Sequence, residues 1–134
     1  MKNIYRLVLI AAVFTVSTTV LSAQPAPEYT TTEELQQLID SDTKEYLLID
    51  VRTEGEYNSG HIPTAINIPY TEIVEKVPAE EKDDLIVVYC RSGARSGRAL
   101  EALQEAGYTN AYNFGGIIDW TGETVVPPEG ESSK

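Results

Sequence analysis

Leu85-Ile86-Val87-Val88-Tyr89-Cys90-Arg91-Ser92-Gly93-Ala94-Arg95-Ser96-Gly97-Arg98-Ala99-Leu100 is the stretch on which the fold turns. Its first five residues form an unbroken apolar run with β-branched side chains at its centre. That is the pattern of a strand buried on both faces, as in a parallel sheet covered by helices. Downstream, Ala99, Leu100, Leu103 and Ala106 recur at helical spacing until Gly107 supplies a stop. Between strand and helix lie Cys90 to Ser96, with a glycine in the turn. From Leu85 to Leu100 there is no acidic residue but three of the ten basic ones, although the chain carries a formal net charge of -11.

Working outward, Tyr46-Leu47-Leu48-Ile49 is a second short apolar run, stopping at Asp50-Val51-Arg52. Thr53 and Glu56 have capping-box spacing and predict a helix of one or two turns ending near Gly60. Thr31 and Glu34 repeat that spacing ahead of Leu35, Leu38 and Ile39, which predicts a helix through Asp40. Ala65-Ile66-Asn67-Ile68, bounded by Pro63 and Pro69, reads as a brief strand. Thr71 to Val77 reads as a short helix with Ile73, Val74 and Val77 inward, and Pro78 to Asp84 as a polar loop. Asn110 to Asn113 reads as a last strand, after which Gly115-Gly116 turns into Ile117-Ile118-Asp119-Trp120. Strands alternating with short helices predict an α/β fold: a mostly parallel central sheet of about five short strands, flanked by helices on both faces.

The 134 residues suffice for one domain with a hydrophobic core of its own. Lys2 and Arg6 precede the apolar Leu7 to Phe14, and a Ser/Thr-rich stretch leads to Leu21-Ser22-Ala23. This is the layout of a cleaved export signal over residues 1–23, with cleavage after Ser22 as the alternative. The apolar core is shorter than the ~20 residues a membrane span needs. No cysteine lies near the cleavage point, so a lipoprotein is excluded. The expected product is periplasmic or secreted, with no membrane contact after cleavage. Residues 24–28 read as a linker, 29–121 as the domain, and 122–134, rich in Pro, Gly, Glu and Ser, as a weakly ordered tail. The acidic balance offers no footprint for nucleic acid and mildly favours a monomer. A lone cysteine rules out an intramolecular disulfide.

Lone cysteines are commonly small buried hydrophobes, but one that ends a strand and opens an Arg-Ser-Gly turn suits that role poorly. In an open α/β sheet, ligands bind beyond the carboxyl ends of the strands. There the backbone N–H groups of Arg91 to Ser96 can form a nest, and the following helix adds its positive end. Such surroundings lower a cysteine pKa from ~8.5 into the range ~3.5–7.5. Cys90 is therefore the candidate nucleophile. Arg91, Ser92, Gly93, Ala94, Arg95 and Ser96 are the candidate binding loop: arginine forks and serine hydroxyls for a tetrahedral oxyanion, and glycine for close approach. Ser96 is also a candidate helix cap, and Arg95 a candidate brace through backbone carbonyls. Asp50 and Arg52, ending a neighbouring strand, are expected to support the loop.

Cys90-Arg91-Ser92-Gly93-Ala94-Arg95-Ser96 resembles the active-site loop of rhodanese-like sulfurtransferases. Asp50-Val51-Arg52, Glu56-Tyr57, Gly60-His61-Ile62-Pro63 and Ala65-Ile66-Asn67-Ile68-Pro69 resemble the family's first signature, and Gly115-Gly116-Ile117-Ile118-Asp119-Trp120 its closing one. Thr64 departs from the pattern, standing where the family usually has glycine. With its export signal the chain is most similar to the small single-domain periplasmic members, the phage-shock protein E type. The resemblance implies a rhodanese-like fold and thiosulfate sulfurtransferase activity. In that chemistry the Cys90 thiolate takes sulfane sulfur from thiosulfate or a related donor, forms a persulfide, and passes the sulfur to cyanide or a thiol. Neither a cofactor nor a separate base is implied.

His61 is the only histidine and stands in no cluster at metal-ligand spacing, so a turn-stabilising role is expected rather than a metal site. Arsenate reduction and phosphatase chemistry occur on the same fold. Four residues separate Cys90 from Arg95, one fewer than the family's phosphatases use, and Tyr89 stands where those enzymes typically have histidine. A third reading is a non-catalytic persulfide carrier or redox sensor, which without a resolving cysteine would need a partner thiol.

Overall fold

The computed structural model describes residues 25–42 and 44–129. The export segment expected over 1–23 lies outside the described residues. Four strands, β1 (Leu47–Asp50), β2 (Ile66–Asn67), β3 (Ile86–Cys90) and β4 (Ala111–Gly116), form one sheet. Their order is β2-β1-β3-β4 and every neighbouring pair is parallel. The helices are α1 (Thr32–Ile39), α2 (Glu54–Asn58), α3 (Ile73–Lys76) and α4 (Ala94–Glu105). The α/β architecture is as expected, with four strands among the described residues rather than about five.

Strand β3 is buried at every position, as its unbroken apolar run requires. Because side chains alternate along a strand, Val87 and Tyr89 join Leu35 and Leu38 of α1, Leu48, Ile62, Phe114 and Trp120 on one face. Ile86, Val88 and Cys90 join Ile49, Val51, Ile73 of α3, and Ala99 and Leu103 of α4 on the other. Full burial of each such aliphatic side chain contributes roughly 1.5–3 kcal/mol. Two apolar layers on one central strand make β3 the element that fixes the site.

Both capping boxes form. Thr31 Oγ1 accepts from Glu34 N–H (3.2 Å), and Glu34 Oε2 accepts from Thr31 N–H (3.3 Å). At α2, Thr53 Oγ1 accepts from Glu56 N–H (3.3 Å), and Glu56 Oε2 accepts from Thr53 N–H (3.0 Å). Helix α4 stops where glycine permits a left-handed residue, Gly107 at φ 94°.

Several local expectations are corrected. The segment read as a helix from Thr71 begins as a 3-10 turn, Tyr70–Glu72, before α3. The tighter turn changes the angular phase, so Ile73 is buried but Val74 is 46% exposed. Along α4 and its C-cap, Ala99 and Leu103 are buried, whereas Leu100 and the C-cap Ala106 are only partly so. Strand β4 runs three residues past Asn113 and takes in Gly115-Gly116, read above as a turn. Val88 pairs with Asn113 and Tyr89 with Gly115, which leaves Phe114 as the bulged residue. Gly115 takes φ 107° there.

Past Thr121, where the sequence predicts a weakly ordered tail, Val125 is tied to His61 by two backbone hydrogen bonds of 2.9 Å. His61 has the structural surroundings expected of it. Its ring stacks on Tyr57 at 3.7 Å, and Nδ1 lies 3.0 Å from the Tyr57 carbonyl oxygen. Thr64 adopts φ 73°, a left-handed conformation that suits glycine and strains a β-branched residue.

Candidate active site

The chain leaves β1 toward β2 on one side and returns to β3 on the other. The crevice beyond the carboxyl ends of β1 and β3 is therefore the switch point of this sheet, where ligands of open α/β folds bind. Asp50 is the last residue of β1 and Cys90 the last of β3.

Arg91, Ser92 and Gly93 alone connect β3 to α4. Gly93 is the N-cap residue with φ 101°, and no side chain caps the helix. Ser96 is thus not the cap the sequence suggested: it sits in the first turn of α4 and is fully buried. Its hydroxyl lies 3.4 Å from Cys90 Sγ and 3.1 Å from the Gly115 carbonyl oxygen, as donor to both. Gly93 N–H donates to Cys90 Sγ at 3.0 Å. N–H groups of a first helical turn have no partner within the helix, and here they converge on sulfur. Burial pushes the Cys90 thiol up. The Ser96 hydroxyl and the N–H groups of Ser96, Gly93 and Ser92 outweigh it, and the net shift is downward. Cys90 thus sits at the floor of a cradle whose donors favour the thiolate over the thiol.

The far wall of the cradle is β4. A Cβ on Gly116 would collide with the Arg91 carbonyl oxygen and lie 2.7 Å from Ser92 Cα, and a Cβ on Gly93 would lie 3.4 Å from Gly115 Cα. The missing Cβ of Gly116 therefore permits loop and strand to touch backbone to backbone. Ile118 N–H donates to the Arg91 carbonyl oxygen at 3.3 Å, which fixes the turn after β4 against the loop.

Arg91, Ser92 and Ala94 are exposed. Arg91 lines an open cleft of about 400 Å³ together with Arg52, Glu56, Ser59, Ile117 and Ile118. It makes no ion pair among the described residues. Arg95 is held differently from either sequence expectation: Nη1 and Nη2 donate to the two carboxylate oxygens of Glu56 at 2.7 and 2.9 Å. That fork and the bonds from Thr53 lower the Glu56 carboxyl to about 2, against a smaller upward push from burial.

Asp50 and Arg52 form a network under the strand ends that reaches Gly60 and Tyr89. Arg52 Nε and Nη2 donate to the Asp50 carboxylate, Nη2 at 2.7 Å, and Nη2 also reaches the Gly60 carbonyl oxygen at 2.7 Å. Tyr89 precedes Cys90 and so points to the opposite face. Its hydroxyl donates to Asp50 Oδ2 (2.9 Å) and accepts from Ile62 N–H (3.0 Å). Burial, and then the Asp50 charge, push the Tyr89 phenol up, so it stays protonated.

Two participants escaped sequence reasoning. The sequence marks Glu56 as a helix cap and as part of the first signature but not as a partner of Arg95, which lies 39 positions away with no periodic signal to reveal it. The sequence shows Gly116 as one of a glycine pair but carries no sign that it is the contact face of the loop. Among the described residues no group of three or more His, Cys, Asp and Glu side chains is placed to hold a metal ion.

The profile of the rhodanese-like domain family matches residues 31–123. A sulfurtransferase of Allochromatium vinosum is 43% identical over 101 residues, covering 73% of this chain and 94% of that protein. The thiosulfate sulfurtransferase PspE of Escherichia coli is 44% identical over 73 residues, covering 53% of this chain and 70% of that protein. Among solved structures, a rhodanese with anions from E. coli superposes with a TM-score of 0.55 at 39% identity, covering 62% of this chain and all of that one.

Proposed function

The chain belongs to the rhodanese-like domain family and is a sulfurtransferase of the rhodanese type, and from this premise we propose that Cys90 carries sulfane sulfur as a persulfide. The observation that supports this reading most directly is the pair of donors on Cys90 Sγ, Gly93 N–H at 3.0 Å and the Ser96 hydroxyl at 3.4 Å. In the proposed cycle the thiolate attacks the outer sulfur of thiosulfate or a related donor. The donor's S–S bond breaks and its electron pair leaves with sulfite, giving Cys90–S–S⁻. Cyanide or a thiolate acceptor then takes the terminal sulfur, and the electron pair returns to Cys90 as the thiolate. Both enzyme forms are anions, so one cradle serves both half-reactions, and neither requires a proton to move. The pattern of Lys2, Arg6 and the apolar segment to Phe14 supports an exported protein acting in the periplasm or beyond.

Intact mass spectrometry tests the proposal. After incubation with thiosulfate, the wild type gains about 32 Da, one sulfur, and Cys90→Ser gains nothing. Added cyanide then removes the sulfur as thiocyanate. No mass gain with any sulfane donor, together with turnover of an aryl phosphate or of arsenate, would refute the proposal. A persulfide that forms but is never discharged to cyanide or thiols would assign a carrier role instead.

A further inference from the structure

Three guanidinium groups belong to the loop and its cleft, and two are already matched. Arg52 is neutralised by Asp50 at 2.7 Å, and Arg95 by both oxygens of Glu56 at 2.7 and 2.9 Å. Arg91 is exposed and unmatched among the described residues. The site thus presents two neutral pairs and one free cation beside Cys90. Glu56 is tied further at the start of α2, its carboxylate also accepting from Thr53 N–H (3.0 Å) and the Thr53 hydroxyl (2.9 Å). The same cleft has an apolar side. Ile117 and Ile118 line it together with Arg91, Ile118 is 63% exposed, and its N–H bond to the Arg91 carbonyl oxygen ties the two backbones together.

Resting on the sulfurtransferase reading, we propose that Glu56 determines donor specificity. By engaging Arg95 and lining the cleft, it leaves one unmatched cation beside an apolar wall. That combination selects a sulfane-sulfur donor with a single negative charge and an organic group, of the thiosulfonate class R–SO₂–S⁻, over dianionic thiosulfate. The anionic end meets Arg91 and the N–H cradle, and the organic group lies against Ile117 and Ile118. In the transfer step the thiolate forms a bond to the sulfane sulfur, the donor's S–S bond breaks, and the electron pair leaves on the sulfinate R–SO₂⁻. Charge is conserved and no oxidant or proton is needed.

The test compares rates of persulfide formation with thiosulfate and with benzenethiosulfonate in the wild type, Glu56→Gln and Glu56→Asp. Glutamine retains capping-box function and an acceptor for Arg95 but removes the charge, while aspartate keeps the charge and shortens the reach. The ratio of kcat/KM, thiosulfate over benzenethiosulfonate, is expected to rise about five- to tenfold in Glu56→Gln, carried by KM, since one charge then favours the dianion. In Glu56→Asp it should stay within about twofold of the wild type. A ratio unmoved by Glu56→Gln, or moved equally by Glu56→Asp, overturns the proposal. A second readout needs no sulfur transfer: the pH dependence of Cys90 alkylation by iodoacetamide. Glu56→Gln should move its midpoint down by about half a unit, because Arg95 is no longer neutralised. If neither donor loads the wild type, the sulfurtransferase reading fails, and an unmoved alkylation midpoint would then overturn the charge-setting role of Glu56 on its own.

Discussion

Ser96→Ala isolates the side-chain contribution to the thiolate. The hydroxyl is fully buried, 3.4 Å from Cys90 Sγ and 3.1 Å from the Gly115 carbonyl oxygen. A hydrogen bond to a charged group contributes about 1.5–3 kcal/mol net. One proton shared between two acceptors, over a long contact to sulfur, falls at the low end of that range. The alanine variant should therefore raise the Cys90 pKa by about one unit, at 1.36 kcal/mol per unit. The sign also carries into folding. Cys90 is lowered in the folded state, so its stabilising contribution is fully present above the unfolded thiol's value and is lost as pH falls through the folded value. Wild-type stability should then climb across that interval, and Ser96→Ala should begin the climb later and climb less. Loss of the bond to Gly115 adds about 1 kcal/mol of destabilisation that does not depend on pH. Iodoacetamide alkylation rates against pH give the first quantity, and urea unfolding at pH values on either side of the interval gives the second. An alkylation midpoint unchanged in a folded Ser96→Ala protein would refute the reasoning. The hydroxyl would then belong to Gly115 alone, and the backbone N–H groups would hold the thiolate unaided.

Three other substitutions probe the supports. Tyr89→Phe removes a buried hydroxyl that serves Asp50 and Ile62 N–H together, leaving two groups short of a partner. It should cost about 2–4 kcal/mol in urea unfolding, while the alkylation midpoint of Cys90 on the opposite face stays put. Gly116→Ala forces a methyl group against the Arg91 carbonyl oxygen, so persulfide formation should slow at least about tenfold and the melting temperature should fall. Thr64→Asn replaces a β-branched residue at φ 73° by one that tolerates the left-handed region. Even with loss of the exposed hydrogen bond to Tyr46, thermal unfolding should show a gain of about 0.5–1 kcal/mol.

Much of the frame was legible because it rests on local rules. Leu85 to Tyr89 could hardly be anything but a strand covered on both sides, and Thr31/Glu34 and Thr53/Glu56 carry helix starts in a four-residue pattern. The loop was legible for the same reason: cysteine, arginines and glycine stand within seven consecutive positions. Errors clustered where a short element meets something distant. Val74 was misassigned because a four-residue helix behind a 3-10 turn has too few positions to set its own phase. The end of β4 was misread because Gly-Gly ordinarily means a turn. Here it means a bulge and a strand surface bare enough to lie against Arg91 and Ser92.

From the sequence alone came the strand–loop–helix unit, the candidate nucleophile and the loop we propose binds an anion, since each depends on neighbours in the chain. Only the tertiary structure decided how the charges are spent. Arg95, expected either to bind substrate or to tie down backbone carbonyls, is held by Glu56. Arg52 is held by Asp50, and Arg91 alone is left facing the cleft. The physical reason is that an ion pair is a relation between side chains carried on separate elements. Helix α2 brings Glu56 to α4 only because both follow adjacent parallel strands and emerge at the same edge of the sheet. Composition records how many charges a chain has, whereas packing determines which of them remain unmatched for a ligand.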